Sequence, residues 1–134
     1  MKINAVWIDV LSNTPDIDVI QISNNSNDEI YSALDGAFFD CFYFQLKGDN
    51  ETYLAFVDDC GMIKGLPISA MYEDRRSICL VGNIVICKPG KDGGIESLDK
   101  FDVIEICRHL ATATNIETGK SYPVLIDIKK GVTQ

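Results

Sequence analysis

The chain has 134 residues, 46% hydrophobic and 24% charged, with 10 Gly and 4 Pro; this is globular composition at about one domain's length and excludes a low-complexity or fully disordered chain. A net charge of −8 disfavours direct binding to nucleic acid or to an anionic membrane, which needs clustered Lys and Arg. No apolar run approaches the roughly 20 residues that span a bilayer, and Met1-Lys2-Ile3-Asn4 opens no secretory signal, so a cytoplasmic protein without a membrane partner is expected.

Ile3 to Asp9 and Ile17 to Ile22 read as a hairpin around the turn residues Asn13-Thr14-Pro15-Asp16. Ser26-x-x-Glu29 has the capping-box spacing, and Gly36 follows as a stop, which brackets a short helix over about Asn27 to Leu34 with Ile30, Tyr31 and Leu34 as its stripe. Ala37 to Leu46, rich in Phe and Tyr, and Thr52 to Val57 read as strands joined by a turn. Asp58-Asp59-Cys60-Gly61 is turn chemistry, Met62 to Lys64 resumes briefly, and Gly65-Leu66-Pro67 breaks the run. Ile68 to Arg76 is irregular, and Ile78 to Lys88 is a strongly apolar, central strand. After a Pro/Gly loop, Ser97 is the expected cap of a second helix over about Leu98 to Leu110. Its stripe would be Leu98, Phe101, Ile104 and Cys107 or Arg108, broadened by Val103, Ile106 and Leu110. Ala111 to Lys120 is a loop, and Tyr122 to Ile128 is a last strand. The expectation is a single α+β domain over 1–134, with a largely antiparallel sheet of six to seven strands and two helices.

Five cysteines, Cys41, Cys60, Cys79, Cys87 and Cys107, form no C-x-x-C pair, and His109 is the one histidine. No metal site or other cofactor is expected from that set. Four of the cysteines lie in apolar segments and read as small buried hydrophobes; Cys60, in a polar turn, has no base near it in the sequence. His109 reads as a partner of the helix dipole, and Trp7 as core. No nucleophile–base pair is visible, so the chain is not expected to be an enzyme.

The charge is unevenly placed. Residues 1–67 hold 11 acids and three Lys (3 − 11 = −8), whereas residues 68–134 hold nine acids and nine bases. Dispersed acids of this kind commonly serve solubility alone. The functional alternative is an acidic surface for a basic protein partner, or a mimic of nucleic-acid phosphates. A rival reading builds a pocket for a small anionic ligand such as a nucleotide from Lys64, Arg75, Arg76 and Asn83. Asn83 shares one strand face with Val81 and Val85. A buried Asn needs a partner, and Gly82 beside it points to a bulge or a close neighbour. The candidate partner- or ligand-binding residues are Asp58, Asp59, Lys64, Gly65, Leu66, Pro67, Arg75, Arg76 and Asn83.

The run Asp59-Cys60-Gly61-Met62-Ile63-Lys64-Gly65-Leu66-Pro67, followed by Leu80-Val81-Gly82-Asn83-Ile84-Val85 and the helix after Ser97, resembles a family. It is a small domain-of-unknown-function family found in phages, plasmids and mobile elements of Gram-positive gut bacteria. Members commonly carry a polar Asn shortly after Leu-Pro, where this chain has Ile68-Ser69-Ala70-Met71, and they tend to stop after the second helix. The resemblance implies no activity. It implies a genomic setting in which small accessory proteins often inhibit host defence by binding a protein. A non-enzymatic binding protein, with homo-oligomerisation an option for covering apolar sheet edges, is the resulting expectation.

Overall fold

A computed structural model describes residues 2–36, 38–72 and 79–130. Ten strands and three helices follow in chain order: β1 Lys2–Asp9, β2 Asp16–Ser23, α1 Asp28–Leu34, β3 Phe39–Leu46, β4 Thr52–Asp58, α2 Gly61–Lys64, β5 Ile68–Tyr72, β6 Leu80–Val81, β7 Ile84–Pro89, β8 Ile95–Glu96, α3 Lys100–Arg108, β9 Leu110–Thr114 and β10 Ser121–Lys130. The strands form one mixed sheet in the order β2-β1-β7-β4-β3-β10-β5-β6, with β8 beside β7 and β9 beside β10. This corrects the expected six to seven strands, largely antiparallel sheet and two helices. β5 and β10 run parallel, and four short elements escaped the sequence pattern.

Each difference has a physical cause. The apolar run at 78–88 is not one strand, because Gly82 adopts φ +77 and ends β6 before β7 begins. A Cβ at Gly82 would stand 2.8 Å from Leu66 Cδ1, so both the backbone angle and the close approach demand glycine. The stretch read as a loop at 111–120 begins as β9, whose five residues pair with the first half of β10. Met62 to Lys64 belongs to the one-turn helix α2, closed by Gly65 at φ +69. The left-handed residue closing α1 is Asp35, not Gly36. Ser26 and Glu29 make no reciprocal box; Glu29 instead accepts the Ser23 N–H at 3.0 Å and pairs with Lys2.

α3 is capped by Asp99 rather than by Ser97. The Asp99 carboxylate accepts the Asp102 N–H, and Asp102 accepts the Asp99 N–H. Its stripe is also turned. Ile106 is fully buried, while Phe101 is 76% exposed and Cys107 is exposed. What orients the helix is polar: Asp102 is buried, 3.0 Å from Lys88 Nζ and 3.2 Å from the Tyr53 hydroxyl. That burial and the neighbouring carboxylates push the Tyr53 phenol far up, so it stays a neutral donor.

The sheet has a core on each face. Val6, Ile8, Phe44, Tyr53, Ala55, Ile84, Ile86 and Ile128 pack on the α3 side. Ala5, Ile22, Leu54, Phe56, Val85 and Cys87 pack against Ile30 and Leu34 of α1. Burial on both faces explains why β4 and β7 are apolar at consecutive positions. Asp127, at φ 56, shifts the β10 register between Leu125 and Ile128, and lets one strand pair with β9 early and with β3 late. Of the five thiols only Cys87 is buried, its pKa pushed up to about 12 by desolvation; Cys41 and Cys107 are exposed, against the expectation of four buried cysteines.

Candidate functional site

The functional candidates divide between two places. Asp58 to Pro67 form the turn and α2 beyond the end of β4. Asp58 is buried; its carboxylate accepts the Cys60 N–H at 2.9 Å and the Lys64 ammonium at 2.6 Å. Burial acts to raise this carboxyl, but the Lys64 ammonium and the Cys60 N–H outweigh it and hold its pKa below the usual value. Lys64 is therefore engaged within the turn. Leu66 returns its N–H to the Gly61 carbonyl at 3.1 Å, and the Pro67 carbonyl accepts the Gly82 N–H at 2.8 Å. Gly65, Leu66 and Pro67 thus dock α2 onto β6 and shape the break before β7.

Asn83 sits elsewhere, 4% exposed, between the end of β1 and α1. Its Oδ1 accepts the Val10 N–H at 2.8 Å, and its Nδ2 donates to the Ala33 carbonyl at 2.9 Å. Both partners are backbone. The Ala33 carbonyl also receives the indole N–H of half-buried Trp7 at 2.8 Å. Arg75 and Arg76 lie outside the described residues. Lys64 and Asn83 do not meet in a common concavity: the one is held by Asp58, the other by Val10 and Ala33.

A hydrogen bond to Asp59 and that carboxylate's charge raise the Cys60 thiol. The two ring nitrogens of His109 face the Glu105 and Lys47 carbonyls at 3.0 and 3.3 Å, at the C-terminal end of α3. The donor atoms of Asp58, Asp59 and Cys60 lie within 4.8 Å of one another. With Asp58 already bonded to Lys64 and the thiol raised, the trio is poorly suited to a cation.

A cleft of about 390 Å³ opens beside this turn. Phe42, Tyr43, Val57, Tyr72, Leu80, Val81 and Met62 give it an apolar wall and floor. Asp40, Asp59, Cys41, Cys79 and Lys130 stand with them, and the carboxylates of Asp40 and Asp59 are exposed. The cleft exists because of strand parity. Phe42 follows Phe44 and Leu46 on the same face of β3, but those two are fully buried while Phe42 is 36% exposed. Among the described residues, β10 pairs with β3 only over Phe44 to Leu46. Of the sequence candidates among the described residues, Asp58 and Asp59 line this cleft. Asp40, Phe42, Tyr72 and Leu80 were not singled out; the alternation of β3 carries Phe42 on the core face, but where its cover ends depends on a partner strand more than eighty residues away.

No helix among the described residues is long and apolar enough to cross a membrane. No curated protein and no solved structure matches the chain. A family model does: residues 6–111 match the domain of unknown function DUF3846, and the chain belongs to that family.

Proposed function

We propose that the chain is a non-enzymatic binding module that takes a partner protein in the cleft between β3 and the β5–β6 pair. One observation carries this reading: an apolar core row breaks out to solvent at Phe42, in a concavity rimmed by Asp40 and Asp59. An apolar floor supplies affinity, and the exposed Asp40 and Asp59 carboxylates select a basic partner and speed encounter. The raised Cys60 thiol and the carbonyl-facing His109 support a binding role over catalysis. A nucleotide-sequestering role has less support, because Lys64 and Asn83 are engaged within the fold. A phosphate mimic has less as well, because most acids of the first half sit on strands and turns, with Asp28 and Glu29 alone in a helix there. The resemblance to mobile-element proteins favours an accessory role, with inhibition of a host defence protein as the working version. The test is affinity purification from the native host, read by mass spectrometry, with wild-type protein and with the double variant D40K/D59K. The reading requires a specific protein that wild type captures, that the variant loses, and that binds again as a purified pair. Equal capture by both proteins refutes it.

A further inference from the structure

We infer that the outer edge of β2 is a docking site for an extended segment of a partner protein, one that alternates apolar side chains with Lys or Arg and adds to the sheet as a further strand. The site is separate from the cleft, because β2 ends the sheet on the side away from β5 and β6. Among the described residues β2 pairs with β1 alone, in an unbroken register from Asp16 to Ser23. That register fixes which groups face outward. On β1, Asn4 turns its N–H and carbonyl away from β2, to Ser97 Oγ and the Leu98 N–H. Asn4 stands opposite Gln21, so alternation sends the N–H and carbonyl groups of Ile17, Val19, Gln21 and Ser23 to the open side. From Ile17 to Ser23 the edge is about 23 Å long.

The two faces of this edge differ in chemistry. Ile20 and Ile22 pack with Ile30 and Leu34 of α1, and Ile17 packs with the core on the opposite face. Parity therefore places Asp16 and Asp18 on the α1 side, and Val19 and Gln21 on the other. The Asp16 carboxylate accepts the Ile17 N–H at 2.7 Å, and Asp18 accepts the Val19 N–H at 2.8 Å. The Gln21 N–H has no partner among the described residues and offers an added strand its first bond. Glu29, on the Ser23 N–H, shares its charge with Lys2, whereas Asp16 and Asp18 form no ion pair among the described residues. Both are exposed, and both stand on amides that an added strand needs. A Lys or Arg on the α1 side of the incoming segment draws each carboxylate to itself and frees the amide beneath it; a neutral segment has nothing to offer in exchange. The intervening side chains project to the other face, where half-exposed Val19 gives them an apolar neighbour. Charge complementarity thus selects a basic strand, and it disfavours the β2 of a second copy, which brings its own Asp16 and Asp18 to the same edge.

A displayed library of random octapeptides, selected on the full-length protein, tests the site. Selected sequences should alternate apolar residues with Lys or Arg, and should bind the D40K/D59K variant as tightly as wild type. The double variant D16N/D18N keeps an oxygen on each amide but removes the charge, and should lose about tenfold in affinity for a selected peptide. Gln21→Pro removes an outward N–H that β1 does not use, so circular dichroism should match wild type while peptide binding falls by about tenfold. Hydrogen exchange at Val19 and Gln21 should slow when peptide is bound. Should Gln21→Pro lose the wild-type spectrum, N-methylation of alternate peptide amides decides instead: one register should weaken binding by about tenfold per amide, and tolerance in both overturns strand addition. The site is also overturned if no peptide enriches, if the enriched peptides lack basic residues, or if either folded β2 variant binds as tightly as wild type. Peptide binding that D40K/D59K abolishes assigns the peptide to the cleft, and so removes the β2 site while leaving the binding role proposed above intact.

Discussion

Asn83 offers the sharpest test of how the break between β6 and β7 is held. Its side chain bonds two backbone groups that have no other means of meeting, the Val10 N–H at 2.8 Å and the Ala33 carbonyl at 2.9 Å. In Asn83→Ala the Ala33 carbonyl keeps the Trp7 indole N–H. The Val10 N–H is left buried without an acceptor, which costs roughly 1–3 kcal/mol, and the lost amide–carbonyl bond adds about 1 kcal/mol. The expected loss is therefore about 2–4 kcal/mol, or a fall of about 1–2 M in the urea midpoint at the usual slope for a domain of this size. Asn83→Asp separates the two bonds. One carboxylate oxygen can still accept from Val10, while the other faces the Ala33 carbonyl and repels it. Burial without a cation raises the new carboxyl, so the folded state holds its proton more tightly than the unfolded chain. Stability of Asn83→Asp should accordingly fall as pH rises from about 4 toward 7, the reverse of ordinary acid unfolding. Urea unfolding at both pH values reads this. If Asn83→Ala stays within about 0.5 kcal/mol of wild type, or Asn83→Asp is as stable as wild type at pH 7, the side chain is not the latch described.

Gly82→Ala forces a side chain into φ +77 and against Leu66 Cδ1, and should cost roughly 1–3 kcal/mol by urea unfolding; adding Leu66→Ala should relieve the clash but not the backbone strain. Asp102→Asn leaves the Lys88 ammonium only the more exposed Glu51 carboxylate, 3.9 Å away, and should destabilise by roughly 1–3 kcal/mol in thermal melts. Asp58 has its native pKa depressed, so it contributes stability above its unfolded value near 3.8 that disappears as pH falls through the lower native value. Lys64→Met removes the partner that holds it down, so acid unfolding followed by circular dichroism should begin at higher pH. Asp16→Thr with Asp18→Thr should leave the fold intact and produce concentration-dependent self-association in sedimentation velocity.

The parts of the fold that could be read were those decided by neighbours in the sequence. The β1–β2 hairpin, the body of β4 and the short helix over Ile30 and Leu34 follow from alternation, turn residues and helical spacing. The misread parts were decided by distant partners. α3 carries apolar residues on both sides, and nothing local says that Asp102 will be drawn inward to Lys88 and Tyr53, turning Phe101 outward. Leu110 to Thr114 alternates too weakly to announce a strand until β10 lies beside it. In the candidate site, Asp58 and Asp59 could be singled out as turn acids, but the cleft they border is assembled from β3, β4, β5 and β6, which meet only in the folded sheet.

The acidic first half acquires a different meaning once its bonds are traced. The Asn4 N–H and carbonyl of β1 go to Ser97 Oγ and the Leu98 N–H, away from β2. The register then turns the Ile17, Val19, Gln21 and Ser23 amides of β2 outward, along the free edge of the sheet. Three of those four amides are already met by carboxylates: Ile17 by Asp16 at 2.7 Å, Val19 by Asp18 at 2.8 Å and Ser23 by Glu29 at 3.0 Å. Asp40 treats Cys41 the same way on β3. In the turns, Asp9 accepts the Leu11 and Ser12 amides, Asp49 the Glu51 amide and Asp58 the Cys60 amide. Much of the negative charge is thus local backbone chemistry. Short acidic side chains close amides that a sheet with open edges would otherwise offer to any passing strand, and add like-charge repulsion between copies of the chain. On β2 the carboxylates stand over an edge with half-exposed Val19, so their removal should yield promiscuous association.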